Sequence, residues 1–97
     1  MSAFVVATSV LKNPEKFAEY GKAAGATLAA HGGALAKKGK FAGSLTTNSE
    51  HNTVAVIEFP DLDAIKGWYN SSEYQAVIPL REEACDMTIS SYEVPTA

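Results

Sequence analysis

Cysteine is almost missing from this 97-residue chain: Cys85 stands alone. No disulfide can close within the chain, and a single thiol suits a reducing cytoplasm, which is the compartment we expect. A thiol nucleophile would need a partner base, and nothing near Cys85 in the sequence supplies one. Long apolar runs are missing too. None approaches the roughly 18 residues of a membrane span. The opening stretch MSAFVVATSVLKNPE lacks the basic region of a signal peptide, and its apolar part alternates and ends at a helix-start signal. Positive charge is in short supply: the formal net charge is −3, which argues against nucleic acid or an anionic membrane as partner. The one basic cluster, Lys37, Lys38 and Lys40, has no aromatic stacking platform beside it and reads as a solvated strand edge kept from pairing by lysines. His31 and His51 lack metal-site spacing with each other or with Cys85, and no acidic cluster reads as a calcium loop. Neither a metal nor an organic cofactor is expected. The stretch HGGALAKKG follows a helix signal instead of preceding one, so it fails the context of a phosphate loop.

What is present is the make-up of one small globular domain spanning residues 1–97, 46% apolar and 20% charged. AFVVATSVL (3–11) is short and β-branched, a strand by type and length. Asn13-Pro14-Glu15 then signals a helix start, with a cap, a proline at the first helical position and an acid in the first turn. The spacing predicts a helix to His31 carrying the stripe Phe17, Tyr20, Ala24 and Leu28, stopped by Gly32-Gly33. Gly21 and Gly25 on this helix would permit a close approach to whatever lies beneath. GALAKKGKFAGSLTT reads as a weaker strand, bent or bulged around Gly39 and Gly43. NTVAVIEF (52–59) is a strong strand ended by Pro60, after which Asp61 caps a helix bearing Leu62, Ile65, Trp68 and Tyr69. Asn70-Ser71-Ser72 interrupts that helix, a serine recaps the second segment, and Pro79 bends or restarts it. DMTISSYEV closes the chain as a last strand.

The order is βαββαβ with the second helix broken in two, the ferredoxin-like plan of class α+β: an antiparallel sheet with its helices on one face. Phe4, Val6 and Val10 point one way along the first strand while Val5, Ala7 and Leu11 point the other. In the third strand Val54 and Val56 oppose Ala55, Ile57 and Phe59. Strands apolar on both faces are buried on both faces, and two helices cover only one. The second face therefore predicts a homodimer, sheet to sheet about a two-fold axis. RNA-recognition domains share the plan, but NTVAVIEF offers one phenylalanine and no arginine or lysine, so RNA is not an expected ligand.

A few residues resist assignment to packing. Within NSSEYQAVIPLREEA, helical spacing puts Arg81 on one stripe with Tyr74, Val77 and Ile78. A buried guanidinium needs a carboxylate or several acceptors. One solution is an internal pair with Glu58, which shares a strand face with Val54 and Val56. The other leaves Arg81 free to anchor a substrate carboxylate or enolate. His31 falls within the first helix's apolar stripe at its last turn. It either satisfies terminal carbonyls there or stands at a pocket mouth as a base. Trp68, Tyr69 and Tyr74 are either core aromatics or the wall of a pocket beside the broken helix. The candidate site is thus catalytic His31 and Arg81, with Tyr20, Glu58, Trp68 and Tyr74 binding a small, partly apolar organic acid or enol. The alternative is a dimer that binds without turnover, or one that is purely structural.

NPEKFAEYGKAAGATLAAHGG, followed by VIEFPDLDAIKGWYNSSEYQAVIPLREEA, resembles the uncharacterised bacterial family called domain of unknown function 1330, of the dimeric α/β-barrel superfamily. The resemblance runs from Phe4 to Val94 and is most specific at AHGG, EFP and WYNSSEYQ with Arg81 beyond it. Ser72 departs from it, where similar sequences often have proline. The resemblance implies a homodimer whose two sheets pack into a barrel, with a cleft between each sheet and its helices. It implies no reaction. The wider superfamily holds cofactor-independent monooxygenases acting on polyketide-like phenols, lactone isomerases, haem-degrading enzymes and plain ligand-binding modules. Haem is the least supported, with no histidine in the second helical region.

Overall fold

The computed structural model describes residues 2–47 and 49–95. Its helices begin where side chains can cap them. α1 (Pro14–Gly25) starts behind Asn13, whose side chain accepts the Lys16 N–H at 3.1 Å, with Pro14 needing no donor partner. α2 (Leu62–Tyr69) is capped by Asp61, which accepts the Ala64 N–H at 2.8 Å. α3 (Ser72–Gln75) is capped by Ser71, which accepts from the Tyr74 N–H at 3.2 Å. α4 (Ile78–Ala84) carries Pro79 in its first turn. The interrupted second helix is therefore present, and it is interrupted twice: at Asn70-Ser71, and again ahead of Pro79, whose ring forbids an unbroken run through the preceding turn.

The sheet has the order β2-β3-β1-β4, antiparallel throughout, built from β1 (Ala3–Leu11), β2 (Ala34–Lys40), β3 (Thr53–Phe59) and β4 (Cys85–Glu93). This is the ferredoxin-like βαββαβ arrangement. In β1 every second residue from Ala3 to Ser9 is buried beneath the helices. Buried Ser9 meets its polar requirement by hydrogen bonding to the Thr53 hydroxyl on the neighbouring strand. β2 is an edge strand, as its lysines suggest. Its irregularity differs from the expectation, however: the bulge lies between Leu35 and Lys37, while Gly39 sits in register opposite Val54 and Gly43 lies beyond the strand end. One extra residue at Ala36 turns Lys37 to the face of Val56 and leaves Lys38 and Lys40 on the helix side, opposite Ala55 and Thr53.

α1 is also shorter than its sequence stripe. It stops at Gly25, and residues 29–31 form a separate 3-10 turn. The reason is tertiary. Thr27 folds its hydroxyl back onto the Ala24 carbonyl at 2.6 Å and accepts the Trp68 indole N–H at 2.8 Å, so the chain tightens there to meet Trp68. Gly32 then adopts φ +74° and ends the turn. Gly33 lets the backbone pass Phe59, whose ring would lie 2.8 Å from any added Cβ.

The principal extents, 34 × 32 × 16 Å, are those of a two-layer slab. Its radius of gyration of 13.6 Å exceeds the about 12.5 Å usual for a compact domain of this length. The core lies between the layers, around Val5, Leu28, Phe59, Ile65, Trp68 and Tyr74. Among the described residues, no element covers the other face of the sheet. It carries Phe4 stacked on Tyr92 at 5.2 Å, with Val6, Val10, Val54 and Val56 beside them. No helix among the described residues is long and apolar enough to cross a membrane.

Candidate functional site

Arg81 does not find Glu58, the partner foreseen for it within the chain. Its Nη1 donates to the Tyr74 hydroxyl at 3.0 Å and, more weakly, to the Tyr69 hydroxyl at 3.4 Å, while Nη2 reaches Glu82 at 3.3 Å. Only 13% of its side chain is exposed. Burial works against its charge, and the hydrogen bonds it donates to the two tyrosines outweigh that penalty, so the guanidinium is held protonated. The pair with Glu58 does not form. Glu58 lies opposite Phe4 in register and is exposed on the uncovered face, whereas Arg81 sits on the helix side.

From Arg81 the hydrogen bonds continue inward. The Tyr74 hydroxyl, fully buried, bonds to that of Tyr20 at 2.7 Å, and the Tyr20 hydroxyl reaches the Met87 sulfur at 3.8 Å. Because a thioether can only accept, the proton order runs from Arg81 to Tyr74 to Tyr20 to Met87. Each donation polarises the next hydroxyl. The last link is long and soft, so the Tyr20 proton is committed to a poor acceptor. Burial, reinforced by the bond to Tyr74, raises the Tyr20 pKa well above the ordinary tyrosine value. Tyr20 is thus a hydrogen-bond donor and not a base. Burial also raises the pKa of Cys85, which keeps that thiol protonated and unreactive.

The relay joins two cavities. The larger, about 900 Å³, lies between α1 and the β2–β3 half of the sheet and is mostly apolar. Tyr20 lines it, together with Phe17, Leu28, Leu35 and Ile57. The smaller, about 310 Å³, lies between α2, α4 and β4, where Arg81, Lys66, Tyr69 and Asn70 meet. Trp68 and Met87 border both. Gly21 and Gly25 do not bring α1 down onto the sheet, contrary to the sequence reading. An added Cβ at either meets nothing within 4 Å, and both line the large cleft, so they hold it open.

Of the residues anticipated for a site, Tyr20, Trp68, Tyr74 and Arg81 are brought together. His31 is not among them. The early end of α1 carries it to the 3-10 turn, where its Nδ1 lies 3.7 Å from where a Cβ on Gly67 would stand, and it lines neither cavity. Glu58 is excluded by its face. Sequence reasoning passed over Lys66, Lys38 and Lys40 as parts of a cavity. The signal available for the last two was their period-two spacing on one strand face, hidden by the bulge. No three His, Cys, Asp or Glu side chains converge among the described residues in a way that would hold a metal ion.

The solved structures that this fold resembles agree with the topology. The RPA0582 protein of unknown function from Rhodopseudomonas palustris superposes with a TM-score of 0.82 at 18% identity, over 99% of this chain and 84% of that one. SnoaB, a cofactor-independent oxygenase from Streptomyces nogalater, gives 0.72 at 10% identity, covering 99% and 95%. A dimeric protein of unknown function with a ferredoxin-like fold, from Bacteroides fragilis, gives 0.57 at 15% identity, covering 96% of each. At these identities the likeness extends to the fold. No curated protein is found to match the sequence. The family model for the domain of unknown function DUF1330 matches residues 2–94, and the chain therefore belongs to that family.

Proposed function

We propose that this protein is a homodimer that binds a small, partly apolar organic acid or enol in the cleft between α1 and the sheet. In this reading the Tyr20 hydroxyl donates to the ligand's enolate or phenolate oxygen. The observation that carries it is the hydrogen-bonded run from Arg81 through Tyr74 to Tyr20, which ends at a thioether beside the larger of the two cavities. A ligand oxyanion is a far better acceptor than sulfur, so it displaces the Tyr20–Met87 contact and is reached by a donor already polarised by a guanidinium. Arg81 and Tyr74 act as positioning residues for that donor. Binding is favoured over turnover because no carboxylate or histidine lines either cavity among the described residues. Turnover remains a second reading for substrates acidic enough to ionise themselves, since a donor of this kind strengthens as charge develops on oxygen. The fold likeness to a cofactor-independent oxygenase supports that reading by analogy alone.

The probe that tests binding is 4-nitrophenol, whose absorbance distinguishes phenol from phenolate. The wild type is expected to bind the phenolate preferentially, and Tyr20→Phe to weaken it by about tenfold, the value of one charge-assisted hydrogen bond. Equal affinity in the two proteins would remove Tyr20 from the site. The dimer is supported by the apolar, uncovered sheet face and by a dimeric structural relative. Val56→Lys on that face is expected to give a monomer in sedimentation equilibrium, and a variant that stays dimeric would place the interface elsewhere.

A further inference from the structure

The charges around the cavities are sorted by sign. The chain has 8 basic and 11 acidic residues, yet among the described residues every charged side chain lining these two cavities is positive. Lys22, Lys38 and Lys40 line the large cleft, and Lys66 and Arg81 line the small one. Lys22 projects from α1 and Lys38 and Lys40 from the helix side of β2, so the three enter from opposite walls. None of these three makes an ion pair among the described residues, although Lys12 and Lys16 do. The part of the cleft beneath them is apolar, with Leu35, Ile57 and Phe17 in its walls, and Leu35 is 51% exposed. Three lysines around one cleft give it a positive potential, and Leu35 leaves an aliphatic wall in water. A ligand that is apolar at one end and anionic at the other relieves both.

We infer that the occupant of the large cleft is an amphipathic anion, an aryl or alkyl carboxylate, whose acid group is held at the rim by Lys22, Lys38 and Lys40. This deepens the proposed function and rests on the cleft being a ligand site. It adds a second point of recognition, at the end of the cleft away from the Tyr20 donor. Long lysine stems extend along apolar walls while keeping their ammonium groups in water, so the rim grips an anion without burying it. The ligand's acid then contributes attraction that is screened by salt, and its body contributes burial of apolar surface.

A matched pair of fluorescent probes tests this: 8-anilinonaphthalene-1-sulfonate, which carries an anion, and N-phenyl-1-naphthylamine, which is neutral. The wild type is expected to bind the sulfonate about tenfold more tightly at low ionic strength, with the gap closing at high salt. The exposed double substitution Lys38→Gln/Lys40→Gln is expected to bring sulfonate binding down to that of the neutral probe and to leave the neutral probe unchanged. Gly21→Phe, whose ring enters open space in the cleft, is expected to abolish binding of both while circular dichroism shows the fold intact. Equal affinities in the wild type, or a sulfonate affinity indifferent to the lysine changes, would overturn the anion assignment and leave the Tyr20 reading standing. Failure of both probes to bind would overturn the two together. Sulfonate binding that survives Gly21→Phe would place the probe outside the cleft. A dimer dissociated by Gly21→Phe would mean that a second copy covers the cleft, and either result would overturn the inference.

Discussion

The two halves of the helix-covered sheet face are filled differently. Over β1 and β4 the aromatic side chains interlock: Trp68 meets Tyr74 at 4.4 Å between ring centroids, Tyr74 meets Tyr69 at 5.2 Å, and every polar tip has a partner. Over β2 and β3 the same helical layer presents Ala18, Gly21 and Gly25, and the space beneath stays open. α2 lies close on the strands, whereas α1 approaches none of them as closely. Backbone position and side-chain volume together decide where the core stops. Glycine within a helix costs roughly 0.5–1 kcal/mol relative to alanine, so two glycines facing a cavity represent stability forgone where packing would have been easy.

The contrast can be broken from either side. The largest effect belongs to the filled half. Trp68→Ala removes an indole that is 2% exposed and the partner of Thr27, and is expected to cost about 3–5 kcal/mol in urea unfolding. Trp68 is the sole tryptophan, so circular dichroism must follow the transition. Filling the hollow half works in the opposite direction: Gly21→Ala meets nothing within 4 Å and is expected to stabilise the protein by about 1 kcal/mol. A loss of stability there would mean that α1 already sits close to something. The smallest effect at neutral pH becomes visible in alkali. The folded state holds the Tyr20 proton more tightly than the unfolded chain does. The resulting stability is complete below the ordinary tyrosine pKa of about 10 and declines as pH rises above it, by up to about 1.4 kcal/mol per pH unit. Tyr20→Phe is expected to flatten that alkaline decline, and an unchanged slope would mean that another group carries it.

Much of this was legible in the residues. Period-two alternation located the strands, and Asn13 and Asp61 were recognisable as caps because each is followed by a helical run that needs one, while the cap of the next segment was narrowed to Ser71 or Ser72 and is Ser71. What escaped depended on contacts between distant segments. His31 follows α1's stripe perfectly, but a hydrogen bond from Trp68 to Thr27 ends the helix first. Glu58 was a reasonable partner for Arg81 until one knew which sheet face the helices cover. Alternation cannot say so when both faces are apolar. The acceptors for Arg81 turned out to be tyrosines from its own broken helix, close in sequence but unrecognised because hydroxyls carry no charge. The cleft between sheet and helices was foreseen only through the family resemblance, since no periodicity records a space.

The strand order has a consequence for how the protein is made. β1, which leaves the ribosome before the other three strands, takes a central place, and its two neighbours are the third and the fourth strands. Its register with β4 pairs Ala3 with Glu93 and Leu11 with Cys85, so one edge of β1 waits for β4. Until then an apolar strand stands with an unpaired edge, which is the condition under which nascent segments associate with one another. Synthesis of this domain is therefore a race in which β1 stays in need of shelter until β4 arrives.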